Sequence, residues 1–208
     1  MNLRRTLLLF SFIFTGSLAI AQPKDRWTIQ DGGAIRWSIN DNIPHDDHLE
    51  MSGQQLSVVL RYGVDAQKRF HLNRSLVFPM LRMHPNKTQN NLKQRFDVNI
   101  PALVTVDDQT LLNEEVRDVT FNGIMRVESS FGYIYRRKEL KDAVQLTRVL
   151  YPSTNAAHYC EEYTFKNSSP NQITLRVPEW NVTYTTSEEA GVYGAYCIEA
   201  ALSKSGVF

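Results

Sequence analysis

From Trp27 onward, apolar and polar positions alternate in short runs broken by turn residues. Ile173, Leu175 and Val177 alternate with Thr174 and Arg176, a period of two that puts one face in a core and the other in water. Residues 56–62 (LSVVLRY) read as a stronger strand, ended by Gly63-Val64-Asp65. Residues 27–29 and 35–39 flank Asp31-Gly32-Gly33, a tight hairpin turn. Further strands are expected over 68–73, 75–81, 117–121, 125–129 and 132–136, which continue the pattern. Around position 160, Tyr159, Tyr163 and Phe165 share one strand face, while Cys160, Glu162, Thr164 and Lys166 share the other. Residues 192–202 read as a long strand with Val192, Tyr196, Ile198 and Leu202 on one side. Helical periodicity is sparse; residues 109–116 and 138–144 are at best short helices. With no internal repeat and no Ser/Gly/Pro-rich linker, the pattern predicts one all-β domain, an antiparallel β-sandwich. It stops at Val207-Phe208, where another strand begins, which reads as an unmatched edge and the front part of something longer.

The first 21 residues stand outside that pattern. Arg4 and Arg5 precede a short apolar run at 7–14 (LLLFSFIF), and Ala19-Ile20-Ala21 is a small-x-small cleavage site. This is the layout of a secretory signal peptide, and the run is far short of the ~20 residues a spanning helix needs. The expected organisation is a signal peptide over 1–21 and a sandwich over 22–208, in a periplasmic or secreted protein with no membrane contact after cleavage. Cleavage removes two of the 23 basic residues and leaves 21 against 22 acidic ones. A near-neutral balance gives no electrostatic footprint for nucleic acid. Export also bears on Cys160 and Cys197, because an oxidising compartment lets thiols pair. Both point away from the apolar faces of their strands, so a Cys160–Cys197 disulfide and two free thiols both stay open.

The densest polar cluster is His45-Asp46-Asp47-His48-Leu49-Glu50. Imidazole and carboxylate are ordinary metal ligands, yet an extended chain would send His45 and Asp47 one way and His48 and Glu50 the other. A loop that orders the following strand, or that lines a sugar-binding or domain-contact surface, suits the cluster better, and no metal or other cofactor is expected. Nucleophilic catalysis has no Gly-x-Ser-x-Gly elbow to support it, and His71, His84 and His158 stand alone. Adjacent pairs such as Glu161-Glu162 point to opposite strand faces, unlike the two facing carboxyls of a glycosidase. No catalytic residue is identified. Trp180, in the turn Pro178-Glu179-Trp180-Asn181, is the tryptophan best placed for an exposed sugar contact.

Several runs carry a resemblance: residues 45–53 (HDDHLEMSG), 58–65 (VVLRYGVD), 72–82 (LNRSLVFPMLR) and Tyr151-Pro152-Ser153. Together they resemble the N-terminal β-sandwich of exported bacterial six-hairpin glycosidase-like proteins. The resemblance spans most of residues 27–208 and implies a supersandwich-like β-sandwich followed by an (α/α)6 barrel that carries the acid and base. The chain stops before any barrel, so no catalytic role carries over and the chain is expected to be inactive alone. The expected partner is that barrel, or a glycan, with the 45–50 segment and Trp180 as contact residues. A self-contained exported carbohydrate-binding or interaction module is the alternative.

Overall fold

The computed structural model describes residues 25–40, 43–84, 90–204 and 206–208; the expected signal peptide lies outside them. In chain order, a hairpin of β1 (Thr28–Ile29) and β2 (Ile35–Ser38) comes first. A meander follows: β3 (His45–Ser52), β4 (Ser57–Val64), β5 (Phe70–Met83) and β6 (Asn90–Phe96). A 3-10 turn at Ile100–Leu103 leads to the short β7 (Thr105–Val106) and β8 (Gln109–Thr110). Four longer strands come next: β9 (Leu112–Phe121), β10 (Met125–Tyr135), β11 (Lys138–Pro152) and β12 (Tyr159–Asn167). The chain closes with β13 (Leu175–Val177), β14 (Asn181–Thr185), β15 (Cys197–Ala201) and β16 (Gly206–Val207).

All strand pairs are antiparallel, and two large sheets form an all-β sandwich. One has the order β1-β2-β9-β10-β11-β12, the other β3-β4-β5-β6. Alternation along β4 shows why they stack: Val58, Leu60 and Tyr62 are buried, while Arg61 between them is exposed. Their cluster takes in Leu76 and Phe78 of β5 and meets Trp37, Val119, Val127 and Leu150 from the larger sheet. Each such side chain contributes roughly 1.5–3 kcal/mol on burial. A second cluster, with Phe131, Tyr133, Val144 and Leu146, lies toward the other end of the larger sheet. Leu175 of the small sheet β16-β13-β7-β8 packs against it.

Both short helices expected from the sequence are strands instead. Leu112 pairs with Gly132 and Leu140 with Tyr133, so residues 109–116 and 138–144 belong to sheet ladders. A helix of one or two turns has too few bonds to repay its nucleation, whereas each added ladder residue meets a neighbour already in place. The breaks expected near 74 and 130 are absent, since β5 runs through 74 in unbroken register with β4 and β10 runs through 130 with local register shifts. The long strand expected over 192–202 is ordered as strand only at Cys197–Ala201, after a turn through Gly194 at φ +97°. The Gly32-Gly33 turn is as expected, with φ values of 87° and 84°. At the C-terminus, β16 pairs with β13, while Val207 and Phe208 remain largely exposed.

Candidate functional site

β12 is the outermost strand of the larger sheet, and it pairs with β11 in an uninterrupted register from Val144↔Asn167 to Pro152↔Tyr159. On the side away from β11 stands the β14–β15 hairpin, whose Tyr196 and Ile198 reach the main core. Between them opens a cleft of about 910 Å³. Its floor comes from β5 and β6, through Leu76, Phe78, Leu81 and Phe96. One wall is the start of β12, and the other is residues 197–203 together with Trp180. Among the described residues no hydrogen bond joins β12 to β15.

A buried ion pair is built into the base of this cleft. Arg74 of β5 is 5% exposed and reaches across the sandwich to Glu161 of β12. Its Nε and Nη2 donate to the two carboxylate oxygens, the second bond at 2.7 Å, and Nη1 donates to the Val98 carbonyl at 3.0 Å. The Tyr163 hydroxyl donates to Glu161 Oε2 at 2.5 Å. Burial works against the charge on Arg74, but the bond to Glu161 and its negative charge outweigh it and raise the guanidinium pKa further. Burial first, then Glu161, pushes the Tyr163 phenol up. The Tyr159 hydroxyl is buried near the same carboxylate, and burial followed by the Glu161 charge holds it well above the usual phenol range. A carboxylate held by two donors in this way acts as an inter-sheet anchor, not as a free acid or base. Nearby, a second core arginine, Arg148, bonds Glu114 at 2.6 Å and lies over the Phe70 ring, 5.3 Å from its centroid.

The residues singled out from sequence fall into two groups. Trp180, Cys160 and Cys197 all line the cleft, with both thiols free. His45, Asp46, Asp47, His48 and Glu50 lie elsewhere, on β3 at the edge of the smaller sheet. They form a strand and not a loop, because each pairs with β4, from His45↔Val64 to Glu50↔Val59. The alternation expected of an extended chain is observed: His45 and Asp47 are half-buried, and Asp46, His48 and Glu50 are exposed. Asp46 Oδ1 accepts from or faces His71 Nε2 at 2.6 Å across Gly63, where any side chain would collide with both. His45 stacks edge-on to Trp37 with ring centroids 5.4 Å apart. Among the described residues, no group of three or more His, Cys, Asp or Glu could hold a metal ion. Charges on the exposed face of an edge strand also discourage sheet-to-sheet association.

Sequence reasoning missed Arg74, Tyr159, Glu161 and Tyr163 as one unit. The available signal was Glu161 sharing the Tyr159/Tyr163/Phe165 face, since a carboxylate on an aromatic face calls for a buried cation opposite. Comparison of the chain with family models, with curated proteins and with solved structures finds no match to any of them.

Proposed function

We propose that this chain is the non-catalytic N-terminal β-sandwich of an exported, glycoside-hydrolase-like protein. In this reading the cleft beside β12 is the surface that meets a catalytic (α/α)6 barrel. One observation carries it: a cleft of about 910 Å³, floored by Leu76, Phe78, Leu81 and Phe96, stands open on one side of the sandwich. Apolar hollows of that size are contact surfaces or ligand sites more often than bare surface. The resemblance of residues 45–53, 58–65 and 72–82 supplies the kind of partner and the exported setting. The chain contributes scaffolding, and the acid and base come from the barrel. A second reading, a carbohydrate-binding module, is favoured by Trp180 at the rim of the same cleft.

The test has two steps. The reading frames adjoining this gene are searched for several hundred residues of helical periodicity, and that barrel is co-expressed with the chain. Slowed amide exchange over residues 157–163 in the complex supports the docking reading. A complex that leaves the cleft exchanging freely, or a locus with no such frame, overturns it. Binding on a glycan panel that is lost in Trp180→Ala would establish the second reading instead.

A further inference from the structure

The backbone at the two walls of the cleft follows a definite pattern. Ser153 N donates to His158 O, and Ser168 N donates to Ala143 O, at the two ends of the β11–β12 ladder. Because bonding alternates along an antiparallel strand, His158, Cys160, Glu162 and Thr164 turn their amides and carbonyls toward β11. Those of Tyr159, Glu161 and Tyr163 therefore face the cleft. On the opposite wall, Thr186 N donates to Tyr196 O and Leu202 N to Trp180 O, so Ile198 and Ala200 bond β14. Cys197, Glu199 and Ala201 are then left facing the cleft. Among the described residues, both walls are rows of unmatched backbone groups.

The two rows are also in phase. The free groups on β12 belong to residues whose side chains point into the sandwich, and those on β15 belong to residues whose side chains point out. Directly opposed residues in an antiparallel pair share a face, and consecutive residues alternate both face and bonding direction. One strand between the walls would bond β12 through its inward residues and β15 through its outward ones. Strand directions agree as well. β12 runs from Tyr159, packed on the first core cluster, to Phe165 on the second. The chain through β15 runs from Ile198 in the first cluster to Phe208, bonded to Leu175 at the second. The walls run parallel, so a single strand lies antiparallel to both.

We infer that the cleft takes up an extended peptide segment as an inserted β-strand in which apolar residues alternate with lysine or arginine. The inward positions face Leu76, Phe78 and Phe96 and require apolar side chains. The outward positions lie beside the exposed Glu199 of the opposite wall, which favours basic side chains by charge complementarity, while Glu162 accepts from Tyr151 of β11 on the other side of β12. Edge strands of this kind commonly gain partners by strand addition. The inference rests on reading the cleft as a contact surface and specifies how the contact is made.

The probe is the fluorescein-labelled peptide acetyl-Val-Lys-Val-Lys-Val-Lys-Val-amide, titrated into the purified chain by anisotropy. Two further peptides carry N-methyl groups, one on the valines and one on the lysines. Insertion predicts saturable binding of the parent, at least tenfold weaker binding of both methylated forms, and slowed exchange at the Tyr159, Glu161 and Tyr163 amides. A Glu199→Lys chain with unchanged melting binds ~5-fold more weakly or worse. Insertion is overturned if the parent does not bind, if either methylated peptide binds like the parent, or if a Val-Glu peptide binds equally well. Protection of the same amides that grows with protein concentration alone assigns the edge to a second copy and also overturns it. Should the peptide fail while a barrel protein still protects residues 157–163, insertion falls and the contact-surface reading stands; if both fail, both fall.

Discussion

The buried pair between Arg74 and Glu161 offers a quantitative test of how the two sheets are held together. Side-chain exposures are 6% and 13%, so neither charge is well solvated. In Arg74→Met, Glu161 keeps only the Tyr163 hydroxyl as a donor, and a nearly unpaired carboxylate remains between the sheets. Breaking one partner of a buried pair costs roughly 3–5 kcal/mol. Against a typical total of about 5–15 kcal/mol, that is a large share of the stability. Glu161→Leu should cost a similar amount by stranding Arg74. Replacing both partners by apolar residues removes the desolvation problem and leaves the Tyr163 hydroxyl without its acceptor and the Val98 carbonyl without its Arg74 donor, at about 1–3 kcal/mol each. The triple variant Arg74→Met/Glu161→Leu/Tyr163→Phe should therefore be more stable than either single variant. The assay is urea unfolding at pH 7 of the two single variants, the Arg74→Met/Glu161→Leu double variant and the triple variant, followed by fluorescence of the three tryptophans, with the singles and the double analysed as a double-mutant cycle. Single-variant losses below about 1 kcal/mol, or losses that simply add, would refute the argument, since both would mean that the pair is solvated or uncoupled.

Alkaline pH should unfold the protein cooperatively. Burial first, then neighbouring carboxylates, raises the phenols of Tyr62, Tyr159 and Tyr163 above their ordinary value of 10.0. Raised folded-state values mean that this stability is fully present below pH ~10 and is lost above it, at about 1.4 kcal/mol per pH unit for each withheld group. Absorbance at 295 nm should show some tyrosines ionising only together with loss of structure; a smooth titration of all nine near pH 10 would contradict this. Gly53→Ala should destabilise by about 1–3 kcal/mol, because the new methyl falls on the Ser153 carbonyl oxygen, a backbone atom that cannot swing aside. A melting temperature within a degree of the parent would show that the approach is looser than this. Ile198→Ala should cost about 2–4 kcal/mol, since Ile198 is 8% exposed and ties the β14–β15 hairpin to the core. A loss under 1 kcal/mol would mean that the hairpin wall of the cleft is not packed.

Much of the molecule was legible as local pattern. Period-two alternation identified β4, and Gly32-Gly33 marked the first hairpin, because strand faces and positive-φ turns are properties of a few neighbouring residues. The same logic placed Tyr159, Tyr163 and Phe165 on one side of β12 and foresaw the opposed faces of His45 and His48. Pattern failed where the deciding partner was distant in sequence. Residues 138–144 look weakly helical alone, and only β10, already in place, makes them strand. Residues 45–50 look like a polar loop until pairing with β4 extends them.

The candidate site shows the same division more sharply. Trp180, Cys160 and Cys197 stood out by residue type, but nothing local says that they border one cleft. That follows from the hairpin crossing back to the free side of β12. Arg74 and Glu161 are 87 positions apart, and only sheet stacking brings them together. By itself, the sequence determined the all-β class, the strand faces and the turns, since these depend on hydrophobic period and backbone sterics. The tertiary structure alone decided which buried charges pair and which strand edges stay open, because both are set by long-range packing that no short window of residues contains.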